Sequence, residues 1–205
     1  KPYLKPYEVL ERDGVRIAVL GMITPAIPSW LPEKLWSGLH FEEMEPCARK
    51  WVEIIKKKEN PDILIGLFHA GKSGNVLGQV IEDASMDVAK RVPGFDVVLM
   101  GHDHTRECVK VQNVVGDSVL VIDPASNANV VSEVTLTITK KGGKVTAKSV
   151  EGRLVDMNKY PVSEEFMEKF APQYKAVNDF VSRKIGTISR TITAKDAYFG
   201  SSSFV

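Results

Sequence analysis

No stretch of this sequence stays apolar for the roughly 20 residues that a membrane-spanning helix needs, so no such span is expected. Neither sign of charge dominates: 27 basic residues stand against 26 acidic ones, a formal +1 at pH 7. Without a basic stripe, nucleic acid is not an expected partner, and no acidic tail offers a solvating arm. Cysteine is scarce. Cys47 falls on the apolar face of an expected helix and Cys108 on an expected strand, a distant pair that reads as two separate thiols and leaves the redox compartment open. No signal peptide or initiator methionine is found in Lys1-Pro2-Tyr3-Leu4-Lys5-Pro6-Tyr7, so the chain reads as the middle of a longer polypeptide. Gly200-Ser201-Ser202-Ser203-Phe204-Val205 closes no element, and that end reads as cut as well.

What is present is a chain of alternating elements. Glu8–Arg12 and Val15–Leu20 flank Asp13-Gly14, a strong hairpin signal. Phe41, Met44, Ala48, Trp51, Val52 and Ile55 recur at helical spacing, and Asn60-Pro61 ends that helix. Strand Ile63–Phe68 follows. Val76, Leu77, Val80, Ile81, Ala84, Val88 and Ala89 are expected to form a second helix, stopped by Pro93-Gly94, before strand Val97–Met100. This β-α-β-α-β run favours a sheet covered by helices. Glu107–Val111, Ser118–Ile122, Val130–Thr139 and Val145–Val155 then read as consecutive antiparallel strands of a second sheet. From Ser163, Phe166, Phe170, Tyr174, Val177 and Val181 mark a long helix with Pro172 as its expected kink.

The chain holds four histidines, and three fall in one kind of place. Asp96-Val97-Val98-Leu99-Met100-Gly101-His102-Asp103-His104 is an apolar strand running into a glycine and then two histidines. Asp62-Ile63-Leu64-Ile65-Gly66-Leu67-Phe68-His69-Ala70-Gly71 ends in a third. Gly101, without a Cβ, is expected to take the sharp turn. Neutral imidazole is the commonest protein ligand for divalent metals, and ligands displayed from neighbouring strand ends make a pre-formed site. His69, His102 and His104 are therefore the candidate metal ligands, whereas His40 has no partner in the pattern.

Two other readings compete. Gly66-Leu67-Phe68-His69-Ala70-Gly71-Lys72-Ser73 matches the phosphate-loop pattern G-x-x-x-x-G-K-S, with Val119–Asp123 as a candidate acidic strand. Against it, Leu67 and Phe68 continue the strand where backbone amides must wrap a phosphate, and Gly74, Asn75 and Gly78 weaken the helix that should start at Lys72. A structural zinc site on His102, His104 and Cys108 lacks the paired cysteines that usually close such sites.

With both histidine motifs placed, the chain resembles the calcineurin-like metallophosphoesterases, and in particular the bacterial 5′-nucleotidase, UDP-sugar hydrolase and 2′,3′-cyclic-nucleotide phosphodiesterase branch. Gly66–Gly71 with its His-Ala-Gly, Phe95–Thr105 with its Gly-His-Asp-His, and Asp13–Gly21 followed by Thr24-Pro25 carry the likeness. The resemblance implies an α/β fold, the metallophosphoesterase-type two-sheet β-sandwich flanked by helices, of which this chain is the C-terminal part. It implies two divalent metal ions (Zn, Mn, Mg or Ca), with His69 and His102 on the second and His104 on the first. It implies hydrolysis of a nucleotide or nucleotide-sugar phosphate ester in the periplasm or at the cell surface.

The family's Asp-x-His, Gly-Asp and Gly-Asn-His motifs, which supply the bridging aspartate and an asparagine ligand, do not occur here in the required order. Gly116-Asp117 falls after the histidine turn, and Gly74-Asn75 lacks a following histidine. The expected partner is therefore the missing N-terminal half of the chain's own domain. The expected organisation is 1–156 as the C-terminal part of the metallophosphoesterase domain, 157–186 as an interdomain linker helix and 187–205 as the start of a nucleotidase C-terminal domain.

Overall fold

A computed structural model describes residues 2–187. The chain divides into two compact units, Lys1–Lys159 and Tyr160–Val205.

The first unit begins with a hairpin. Strands β1 (Tyr7–Arg12) and β2 (Val15–Ile23) pair antiparallel from Arg12 opposite Val15 to Tyr7 opposite Leu20. Asp13 and Gly14 both take positive φ, +50° and +72°, as a two-residue turn matched to the right-handed strand twist requires. After the short helix α1 (Ile27–Trp30) comes α2 (Met44–Glu59), which buries Met44, Ala48, Val52 and Ile55 along one stripe. Asn60 ends it in the left-handed conformation, its N–H bonded to the Lys56 carbonyl at 3.2 Å, and Pro61 cannot continue the helix.

Strand β3 (Ile63–His69) lies parallel to β2. Where one amphipathic helix was expected next, the structure has a small hairpin, β4 (Val76–Leu77) and β5 (Val80–Ile81), and a helix α3 confined to Ser85–Arg91. Gly78, at φ +67°, takes the first turn position between Val76-Leu77 and Val80-Ile81, so the chain reverses there.

Strands β6 (Val97–Leu99), β7 (Arg106–Gln112) and β8 (Ser118–Pro124) complete a six-stranded sheet of order β1-β2-β3-β6-β8-β7. The expectation that all four later strands form a second sheet is corrected here. β8 pairs parallel with β6, and β7 turns back onto β8 as an antiparallel edge. The reason is legible in β8: Val119 to Asp123 are all buried, the mark of a strand covered on both faces. Only β9 (Val130–Lys141) and β10 (Lys144–Asp156) form the second, two-stranded sheet, joined at Gly142-Gly143 with both φ positive.

The core packs α2 and α3 onto one face of the large sheet through Leu20, Leu64, Phe68, Val98, Val119 and Val121. The β9–β10 hairpin lies against the other face, so closely that a Cβ on Gly152 would sit 2.8 Å from Leu120 and 3.3 Å from the Cys108 thiol. Two sheets with helices outside agree with the expected fold class. Cys47 and Cys108 are free thiols.

Asp62 ties three elements at the amino end of β3. Its Oδ2 accepts the Arg16 N–H at 2.8 Å and the Lys140 ammonium at 2.7 Å. The Arg16 amide first, and then Lys140, hold its carboxyl below the ordinary range. A depressed native pKa stabilises the fold above the unfolded value of about 3.9, and that stability is lost as pH falls through the native value. Asp62→Asn is expected to cost about 1 kcal/mol at pH 7, the low end for a charge-assisted bond that water partly reaches. Denaturant titrations at pH 7 and pH 3 should show the gap between variant and wild type closing in acid; a gap that widened would contradict this.

The second unit contains α4 (Glu164–Val181). The Ser163 hydroxyl caps it by accepting the Phe166 N–H at 3.3 Å, and Pro172 lies within it. Phe166 and Phe170 stack at 4.5 Å between ring centroids. From residue 188 onward, the segment assigned to a further domain lies outside the described residues. No helix among the described residues is long and apolar enough to cross a membrane.

Candidate functional site

The carboxyl ends of parallel strands β2, β3, β6 and β8 form one rim, the edge on which open α/β sheets present ligands. His69 closes β3 there, and its carbonyl accepts the Thr24 N–H at 3.0 Å, which fixes the loop after β2. Ala70 bridges to Gly101 just beyond β6. The two expected loops are thus adjacent, and the rings of His69 and His102 stand 5.2 Å apart at 64°.

The turn carrying His102 and His104 does not work as the sequence suggests. Gly101 is not among the positive-φ residues; His102 takes φ +106° and His104 +59°. For a residue with a Cβ that conformation costs free energy and persists only where surroundings over-determine it. They do so here. The His102 ring, about one-fifth exposed, lies 5.0 Å from the Trp30 ring, and its Nε2 is 3.0 Å from Glu82 Oε1. Asp103 accepts the Lys72 N–H at 2.7 Å and the Thr105 N–H and hydroxyl at 3.2 and 2.9 Å. His104 and His69 are exposed, as is the unpatterned His40.

Behind the turn lie carboxyls that the sequence reading missed. Burial acts to raise the Asp103 carboxyl, but the bonds from Lys72, Thr105 and Asp123 outweigh it and hold it low. Asp123, at the end of β8, is fully buried. Burial first, and then Asp103 beside it, push its carboxyl up to about 6 against the bond from the Ala125 N–H and the nearby His104. Asp83 accepts the Gly71 N–H at 2.7 Å. No local pattern marks these residues; only the return of the chain after β5 brings Glu82 and Asp83 to the rim.

The phosphate-loop match dissolves residue by residue. Gly66 lies inside β3, where an added Cβ would meet the Phe68 ring at 2.5 Å, so this glycine seats an aromatic ring. At Gly71 a Cβ would collide with Asp83 Oδ1 and meet the Asp103 Cβ at 2.7 Å. Lys72 is paired with Glu107 at 2.5 Å, and no helix begins until Ser85. A helix N-terminus, the part that would face a phosphate, is not there. Gly116-Asp117 sits in the β7–β8 turn, at the opposite end of the sheet from the histidines, as the sequence order requires.

The candidate donors are three imidazoles, two of them converging. Among the described residues, no group of three or more His, Cys, Asp or Glu side chains is placed to hold a metal ion. Glu82 is engaged with the His102 ring. These residues do not by themselves fit a two-metal centre, nor a closed zinc site with Cys108.

Comparison with known proteins agrees with the motif reading. No protein-family model matches the chain. It is 27% identical over 117 residues to a 5′-nucleotidase of Vibrio cholerae, covering 56% of this chain and 21% of that protein. It is 27% identical over 211 residues to a 2′,3′-cyclic-nucleotide 2′-phosphodiesterase/3′-nucleotidase of Haemophilus influenzae, covering 91% of this chain and 32% of that protein. Its fold matches the calcineurin-like phosphoesterase YfkN of Bacillus subtilis with a TM-score of 0.75 at 18% identity, over 89% of this chain and 60% of that one. The homologues are nucleotide phosphoesterases, and the fold is that of calcineurin-like phosphoesterases. The chain spans 21% and 32% of the length of these two curated relatives.

Proposed function

We propose that this chain is part of a metal-dependent hydrolase of nucleotide phosphate esters, of the 5′-nucleotidase or 2′,3′-cyclic-nucleotide phosphodiesterase type. Its contribution is the histidine part of the site. The observation that carries this reading is the convergence of His69 and His102 from two adjacent parallel strand ends, 5.2 Å apart, in a chain whose relatives bear those names.

In this reading His69 and His102 would hold one divalent ion and His104 the other, with the carboxylate and asparagine ligands supplied by residues outside these 205. A divalent metal held there would supply an activated water and charge compensation for the phosphoryl oxygens. The chain's own residues shape this rim: Glu82 and Trp30 contact the His102 ring, the Thr24 N–H fixes the main chain at His69, and Asp103 fixes the turn between His102 and His104. Ile23 and Leu67, about half exposed beside His69, belong to the face that the remaining strands of the domain would cover. Residues 1–156 are the C-terminal part of that domain, 157–186 its linker helix, and 187–205 the start of a C-terminal domain. The enzyme is exported to the periplasm or cell surface, and its substrate is a nucleotide or nucleotide sugar.

The test is phosphate release by the full-length enzyme that contains this chain, offered a nucleoside 5′-monophosphate, a 2′,3′-cyclic nucleotide and a UDP-sugar. Release from at least one of them, abolished by a chelator and restored by divalent metal, is expected. Release indifferent to chelation would overturn the reading, and so would magnesium-ATP binding that depends on Lys72.

A further inference from the structure

Helix α4 presents a continuous apolar face. Met167, Phe170, Tyr174, Val177 and Val181 recur at alternating spacings of three and four, the repeat with which one helix packs along another. Phe166 and Phe180 widen the stripe on one side, and all seven residues are between 41% and 67% exposed. Glu168, Pro172, Lys175 and Asp179 fall on the opposite face, where Lys175 Nζ and Asp179 Oδ2 pair at 2.7 Å. An 18-residue helix is marginal in water by propensity alone and gains most of its stability by packing such a face. Pro172, which removes a helix hydrogen bond, increases that need.

We propose that this face joins two copies of the chain through an antiparallel α4–α4 contact. The charges along the helix favour a second copy as the occupant. Its first turns carry Glu164, Glu165 and Glu168, and its far end carries Arg183 and Lys184. A two-fold axis at Tyr174 sets Glu164 and Glu165 of each copy opposite Lys184 and Arg183 of the other, at both ends at once, with Met167 opposite Val181. That self-complementarity is what an isologous interface requires. A parallel pair would instead bring like-charged ends together, which is costly. The Arg183 guanidinium already stands over the Phe180 ring, 5.7 Å from its centroid, at the margin of the stripe.

The area is sufficient. Four of the seven residues are aromatic, and rings of about 150–250 Å² each, exposed to this degree, offer roughly 450 Å² per helix. With Met167, Val177 and Val181 added, two copies offer more than the ~1,000 Å² that a specific interface needs. A contact near that threshold gives a dimer of modest affinity, so its occupancy follows chain concentration. The pairing uses only α4 and its two ends. It is independent of the histidine rim and stands whether or not the rim takes part in phosphate-ester hydrolysis.

The experiment is sedimentation velocity over a wide concentration range, on the 205-residue chain and on the full-length enzyme that contains it. A reversible monomer–dimer equilibrium is expected in both. Phe170→Glu, which places a charge in the middle of the stripe on a good helix former, should weaken pairing about 10-fold or more while circular dichroism shows the helix content kept. Glu164→Lys with Glu165→Lys, and separately Arg183→Glu with Lys184→Glu, should each weaken self-pairing, whereas a mixture of these two variants should pair better than either alone. Monomers at every concentration would overturn the proposal, and so would a dimer indifferent to Phe170→Glu. Charge variants that pair like wild type, or a mixture no better than its components, would overturn it too. A dimeric chain beside a monomeric full-length enzyme would show that the enzyme's other residues cover this face, and would equally refute the second copy.

Discussion

The 205-residue chain, purified alone and supplied with Zn²⁺, Mn²⁺, Mg²⁺ or Ca²⁺, is expected to release no phosphate from nucleotides and to bind at most one metal ion. The reason is electrostatic. Two unit charges 4 Å apart interact by about 4 kcal/mol at an effective dielectric of 20, and two dications at that spacing repel about four times as strongly. Paired metal centres offset this with anionic ligands between and around the ions. Among the described residues, the rim of this chain offers His69, His102 and His104 instead, and Glu82 beside them is bonded to the His102 ring. One ion shared by His69 and His102, completed by water, is the most that such a set sustains. Metal analysis of the dialysed chain and a phosphate assay check both halves of the expectation. Mixing in the separately produced N-terminal half of the domain should restore release. Robust metal-dependent release from the chain alone would mean that the ligand set has been assigned wrongly.

Phe68→Ala is expected to remove about 3–5 kcal/mol of stability, enough to threaten the fold of the first unit. Phe68 is 3% exposed in the shared core. Its ring covers Gly66 on one side and meets Phe95 edge-to-face on the other, at 5.7 Å and 85°. Truncation leaves a void against a glycine, which has no side chain to fill it, so relaxation is limited and the cost falls at the upper part of the range. Phe68 also precedes His69 directly, so a loosened β3 would misplace the ligand as well. Urea unfolding of the two proteins measures the effect. A midpoint within about 1 kcal/mol of wild type would show that the Phe68 site collapses without penalty.

Much of this architecture could be read from local chemistry. Asp13-Gly14 specified its turn, Asn60-Pro61 its helix end, and the runs ending at His69 and Gly101 their parallel strands. Where the reading slipped, two periods fitted the same residues. Val76-Leu77 and Val80-Ile81 satisfy a helical stripe and also flank a two-residue turn that starts with glycine, and β-branched character with Gly78 decided for the hairpin. The continuous burial of Val119 to Asp123 marked β8 as a central strand, a signal that outweighs its neighbours' alternation. At the site, the histidines were visible because strand-end His-Gly patterns are local. Glu82 and Asp83 were not, and Asp123 was read only as part of the phosphate-loop alternative, because their partners His102, Gly71 and Asp103 lie 12 to 20 residues away along the chain and meet them only once the sheet has formed. The false phosphate-loop match has the same origin: Gly66 and Gly71 are dictated by the Phe68 ring and by Asp83, contacts that a pattern of spacings does not contain.

The most direct measurement is the nucleotide phosphate-release assay on the full-length enzyme with its His102→Ala variant beside it. His102 lies on a turn at the rim and outside the core, so the variant should remain folded while losing the ring that joins Glu82 to the site. Release is expected to fall about 10²–10³-fold, the scale of removing one group that stabilises developing charge, and metal content should fall with it. Wild-type turnover with unchanged metal stoichiometry would contradict the account.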